Sequence, residues 1–116
     1  MSGPEKLVKI IVDAAETKQA IDIEVLDIRK ISNIADYFII CSGESSPQIV
    51  AIAAAIGQEL KKRETLSGKP LIWKGEISSN WLVLDLGDII THLMGSEERK
   101  RYNLEGLWSK AIIYHE

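Results

Sequence analysis

With 116 residues, 46% of them hydrophobic and 27% charged, the chain is sized for one core over residues 1–116 and needs neither disulfide nor structural metal to fold. Its net charge of −3 argues against general affinity for phosphate backbones, which rests on lysine and arginine in excess, and makes a basic protein the easier partner. No apolar run approaches the ~20 residues of a membrane span, no basic-then-apolar leader opens the chain, and the single cysteine, Cys41, suits a reducing compartment, so the expected location is cytoplasmic.

Pro4 can occupy the first turn of a helix, and Leu7, Ile10, Ile11 and Ala14 recur at helical spacing to about Thr17. Ile21 to Ile28 reads as a strand: Ile21, Ile23 and Val25 alternate with Asp22 and Glu24, and the change of apolar face at Val25-Leu26 suggests a bulge. Asp36 to Ser42 contains the unbroken apolar run Tyr37-Phe38-Ile39-Ile40, the pattern of a strand covered on both faces and therefore central. Ser46 and Pro47 open a second helix, whose buried stripe is predicted at Ile49, Ile52, Ala53, Ile56 and Leu60. A turn at Thr65 to Lys69 leads to a short strand, Leu71-Ile72-Trp73, which its preceding proline marks as an edge and which leaves room for a homodimer.

After a polar loop, Trp81, Val83 and Asp85 alternate with Leu82, Leu84 and Leu86, the period of a strand with one wholly apolar face. Leu86-Gly87-Asp88 can form a tight turn into a further strand, Ile89 to Leu93. Ser96 is placed to cap a short helix with Glu97 and Glu98 in its first turn and Arg99, Lys100 and Arg101 later; it carries Tyr102 back past the hairpin, anchored by Leu104, Leu107 and Trp108. These elements compose an α/β sandwich: a mixed five-stranded sheet flanked by helices, with a crossover helix joining strands two and three and the remaining pairs antiparallel.

Chemistry-bearing residues are sparse. His92 and His115 lie far apart in sequence and Cys41 sits inside a strand, so no metal-ligand spacing appears, and no cofactor is implied. Asp85 and Asp88 near a Ser42-Gly43-Glu44-Ser45 loop resemble the magnesium-holding acids and phosphate turn of a nucleotidyltransferase, the alternative reading for the chain. Acids three apart across a turn do not share a strand face, however, and no basic run awaits a triphosphate, so a non-enzymatic role is expected. The large indole of Trp81 beside the Asp85 carboxylate, with Tyr102 close behind, suits a recognition surface instead.

The residues Asp36-Tyr37-Phe38-Ile39-Ile40, Ser42-Gly43, Trp81, Leu84-Asp85-Leu86-Gly87-Asp88, His92, Tyr102, Leu104-Glu105 and Leu107-Trp108 together closely resemble the ribosomal silencing factor family, also called Iojap-related proteins. The resemblance spans nearly the whole chain. It implies a nucleotidyltransferase-like fold without transferase activity, which binds the large ribosomal subunit through its fourteenth ribosomal protein, blocks joining of the small subunit and lowers translation when nutrients run short. Carried over by position, the binding surface includes Trp81, Asp85 and Tyr102, with Leu82, Asp88, His92 and Asn103 nearby. Lys74 before Gly75, and Asn103 after Tyr102, stand where the family commonly has acids, and both changes remove negative charge.

Overall fold

The chain's most apolar run sits at the middle of the sheet. In the computed structural model, which describes residues 4–62, 72–76, 80–103, 106 and 112–114, β2 (Tyr37–Gly43) is buried at every position. It lies between β1 (Ile21–Asp27), antiparallel to it, and β5 (Ile89–Gly95), parallel to it. β4 (Trp81–Asp85) pairs antiparallel with β5, and β3 (Ile72–Glu76) antiparallel with β4. β6 (Ile112–Tyr114) pairs antiparallel with β1, which gives the order β3-β4-β5-β2-β1-β6. Three helices are described: α1 (Pro4–Thr17), α2 (Ser46–Lys62) and α3 (Ser96–Tyr102).

The mixed α/β class agrees with expectation, but among the described residues the sheet has six strands, not five. The additional strand, Ile112-Ile113-Tyr114, is only three residues long, too short for a periodic signal, and is held by register against Asp27, Leu26 and Val25. The crossover through α2 does not place β3 beside β2. The β4–β5 hairpin takes that place because β5, buried at six of its seven positions, can be covered on both faces, whereas β4 buries only alternate residues.

The β1 bulge falls earlier than the side-chain pattern suggests. Register slips between Ile21 and Glu24, and Asp22 adopts φ 50°, while Val25 and Leu26 pair regularly with Ile39 and Phe38. The face change at Val25-Leu26 reflects a strand end buried on both sides rather than an irregularity.

Helices α1 and α2 cover one face of the sheet. All five apolar residues predicted for the α2 stripe are buried there, beside Leu82, Leu84, Leu86, Leu93, Ile39 and Cys41. On α1 the buried stripe is Val8, Ile11, Val12 and Ala15 with Ala14, so Leu7 and Ile10 only flank the core. Gly43 lets the end of β2 approach α2, since a Cβ there would lie 2.9 Å from Ile49 Cγ1. Gln48 ties α2 to the turn that follows α1: its Nε2 donates to the carbonyls of Lys18 and Gln19, both at 3.1 Å.

A smaller cluster, Leu26, Ile28, Ala35, Phe38, Ile40 and Met94, occupies the opposite face with Trp81 and Ile90 packed against it. β5 runs two residues beyond the predicted Leu93, and Gly95, in extended conformation, is the N-cap of α3. Ser96 is thus the first helical residue, and no side chain caps the helix. Thr65 to Lys69, Leu71, Leu104, Leu107, Trp108 and His115 lie outside the described residues. Among the described residues no helix is long and apolar enough to cross a membrane.

Candidate functional site

Strand alternation divides β4 as its sequence indicates: Leu82, Leu84 and Leu86 are buried toward the helices, while Trp81, Val83 and Asp85 are half-buried on the other face. Antiparallel register then sets Met94 opposite Trp81, His92 opposite Val83 and Ile90 opposite Asp85. His92 Nδ1 accepts a hydrogen bond from Trp81 Nε1–H at 3.1 Å, and the edge of Phe38 meets the imidazole at a centroid distance of 5.2 Å. α3 returns across this face so that the Tyr102 ring lies 4.6 Å from that of Trp81, tilted by 46°. Phe38, His92, Trp81 and Tyr102 therefore form a continuous aromatic line from the buried sheet centre to the surface, where Tyr102 is 51% exposed.

The direction of the Trp81 bond fixes the imidazole's tautomer. Nδ1 accepts, so the neutral ring carries its proton on Nε2, and among the described residues that nitrogen makes no hydrogen bond. Burial pushes the His92 pKa down to about 4. Because the folded-state value lies below the unfolded value, the unfolded chain binds the extra proton and stability falls as pH drops from about 6.5 towards 4. The expected loss is at most about 3 kcal/mol across that window. Denaturant unfolding at stepped pH checks this: His92→Asn, which keeps an acceptor for Trp81 but does not titrate, should show the shallower dependence.

Asp85 and Asp88 shape the hairpin tip. Asp85 Oδ1 accepts from Gly87 N–H at 2.7 Å, Gly87 has φ 89°, and Leu86 N–H donates to Ile89 O at 3.0 Å, closing a two-residue turn. The Asp88 carbonyl accepts from the N–H groups of Asp36 and Tyr37, docking the tip onto the start of β2. Asn103 ends α3 in the left-handed region with φ 46°, its N–H donating to Arg99 O.

Trp81 and Tyr102 are in contact, and Asp85 shares their face at the far end of β4, roughly 13 Å along the strand. Leu82, expected near the surface, is instead 6% exposed in the helix-side core, since strand period places it opposite Trp81. His92 is 9% exposed and serves the surface by holding Trp81. Val83, between Trp81 and Asp85, belongs to the same surface although its type drew no attention. Ile34 and Ile31, 57% and 41% exposed, lie in the connection that runs into Asp36 and the hairpin tip, and only their position in a polar loop marks them.

The elements of the alternative, enzymatic reading lie at opposite ends of the sheet. Parallel register sets Tyr37 beside Ile89 and Gly43 beside Gly95, so the acids at the hairpin tip and the Ser42–Ser46 turn are separated by the length of β2, roughly 20 Å. Cys41 faces the helices, opposite to His92, and burial pushes its thiol up to about 12, far from a nucleophile's range. Among the described residues no group of three or more histidine, cysteine or acidic side chains is arranged to hold a metal ion.

The family model described as ribosomal silencing factor during starvation matches residues 2–115. The ribosomal silencing factor of Bacillus subtilis is 39% identical over 116 residues, covering 94% of this chain and 90% of its own. A protein of Chromobacterium violaceum solved by X-ray crystallography superposes with a TM-score of 0.84 at 28% identity, covering 92% of this chain and 87% of its own. A Bacillus halodurans crystal structure gives 0.80 at 30% identity, covering 97% and 99%.

Proposed function

The chain belongs to the family of ribosomal silencing factors, and from that premise we propose that it is a ribosome-associated repressor of translation. It acts in the cytoplasm under nutrient limitation, binds the large subunit through the fourteenth ribosomal protein and occupies the surface the small subunit needs. It has no catalytic activity and uses no cofactor; its nucleotidyltransferase-like scaffold presents a recognition surface and not a reaction centre.

The observation that carries this reading is the Trp81–Tyr102 pair, a tilted aromatic contact with one ring exposed and the other fixed from beneath by His92. Preorganised aromatics of this kind make affinity anchors because little side-chain freedom is lost when a partner covers them. Val83 and Asp85 extend the surface along β4, with Asp88 and Asn103 at its rim. Its carboxylates suit a basic partner, and Lys74, in register with Val83, and Asn103 temper that attraction. β3, the terminal strand of the sheet among the described residues, is the place for a homodimer of the free protein.

Charge reversal tests the electrostatic part. Asp85→Lys should weaken binding to purified large subunits, more at low salt than at high because exposed charges are screened, whereas Asp85→Asn should show a smaller effect with less salt dependence. Equal losses at all salt concentrations would mean that the substitution acts through the turn bond to Gly87 and not through charge.

A further inference from the structure

β2 and β5 are parallel neighbours, yet the chain leaves their carboxyl ends towards opposite faces. β2 leads into α2 on the helix-covered face, and β5 leads into α3, whose Tyr102 rests on Trp81 on the other. A crevice beyond the carboxyl ends of parallel strands, where successive connections diverge, is where open α/β sheets place ligands. An open cleft of about 770 Å³ lies there, lined by Asp22, Ile23, Glu24 and Ser42 on the sheet side and by Ser96, Arg99, Lys100 and Asn103 on the helix side. The last four are spaced i, i+3, i+4 and i+7, so α3 turns one whole face to the cleft.

The lining is chemically divided. Arg99 reaches across and is fixed in place, its Nη1 donating to Ser42 Oγ at 3.2 Å and to Ile21 O at 3.4 Å, with Lys100 beside it. On the facing wall the β1 bulge, with Asp22 at φ 50°, brings Asp22 and Glu24 to the cleft. Glu24 is half-buried in the cleft wall; its Oε2 is turned away from solvent and accepts no hydrogen bond among the described residues, so a rotation of the carboxylate is what presents it to a donor in the cleft. Unsatisfied acceptors of this kind are costly in a folded protein.

We propose that this cleft binds a nucleoside diphosphate, phosphates on Arg99 and Lys100 and the N–H groups of the base on Glu24 and Asp22, with Ile23 supplying the apolar wall between. Guanidinium and ammonium groups match phosphate oxygens, and acceptor-only carboxylates match base N–H donors. A free amino acid offers the same two charges but fills little of a space this large. The ligand also fixes α3, and with it the Tyr102 ring on Trp81, so occupancy adjusts the recognition surface; this regulatory half rests on the silencing role proposed above.

The test is a titration of the ¹⁵N-labelled full chain, in the absence of ribosomes, with adenosine or guanosine diphosphate, inorganic phosphate, or glutamine in separate arms. A nucleoside diphosphate should give saturable shifts at Asp22 to Glu24, Ser42 and Ser96 to Asn103, and should move the Trp81 indole N–H signal. Lys100→Ala and Glu24→Gln should each weaken binding roughly tenfold, the worth of one charge-assisted hydrogen bond. Absence of saturable shifts, equal effects of phosphate alone, preference for glutamine, or unchanged affinity in both variants would overturn the assignment. Cleft shifts with a stationary Trp81 indole signal would overturn the regulatory half alone. Failure of the silencing role would appear separately, as no effect of the nucleotide-free protein on subunit joining.

Discussion

Tyr102→Ala is expected to weaken binding to the large subunit about thirtyfold, the loss of roughly 2 kcal/mol typical of an aromatic anchor, while thermal unfolding stays within a degree or two of wild type. The ring is 51% exposed on a seven-residue helix with no buried residue, so its removal opens no cavity. Trp81→Ala should weaken binding at least as much but also destabilise the fold. Its indole packs against the Met94 and Phe38 cluster, and truncation leaves His92 Nδ1 buried without its donor. The combined cost is about 2–4 kcal/mol of unfolding free energy. Binding isotherms paired with circular dichroism melts separate the two variants. A Tyr102→Ala protein that melts normally and binds normally would remove the aromatic pair from the interface.

The converse behaviour is expected on the other face of the same strand. Leu84 is 1% exposed against α2, and Leu84→Ala should cost about 2–5 kcal/mol of stability through lost burial and the cavity left behind. Protein still folded at low temperature should bind the large subunit with wild-type affinity, because Trp81, Val83 and Asp85 point the opposite way. Urea unfolding gives the first quantity and calorimetric titration the second. Normal stability together with impaired binding would place the recognition surface on the helix side of β4.

Local periodicity made much of this legible in the sequence. Alternation along Trp81–Asp85 assigned both faces of β4, the unbroken run through Tyr37–Ile40 identified the central strand, and the i, i+3, i+4, i+7 stripe of α2 matched its buried residues one for one. Sheet order was less accessible, because it depends on which edges satisfy one another across long stretches of chain. Nothing near Ile112 announces that three residues will pair with β1, and nothing in α2 says that its crossover will pass two strands. The β1 bulge was misplaced because a switch of apolar face looks the same whether it comes from an inserted residue or from burial on both sides.

At the site, residue type singled out Trp81, Asp85 and Tyr102, whereas Leu82 entered by position in a family pattern, against what strand period says of it. The part His92 plays was hidden for a different reason. It arises from the register that sets His92 opposite Val83 and within reach of the indole, a fact of pairing that no local pattern encodes. Val83 is the reverse case, visible in the alternation but too ordinary in type to be noticed.

In the role proposed above, a surface built on Trp81 and Tyr102 covers a site on the large subunit that the small subunit requires. Sucrose-gradient sedimentation of purified subunits with increasing amounts of the protein decides whether it does. The protein should travel with free large subunits, the peak of joined ribosomes should fall in proportion to occupancy, and Tyr102→Ala should restore joining at equal concentration. If the wild-type protein travels with joined ribosomes as readily as with free large subunits, exclusion is not how it acts.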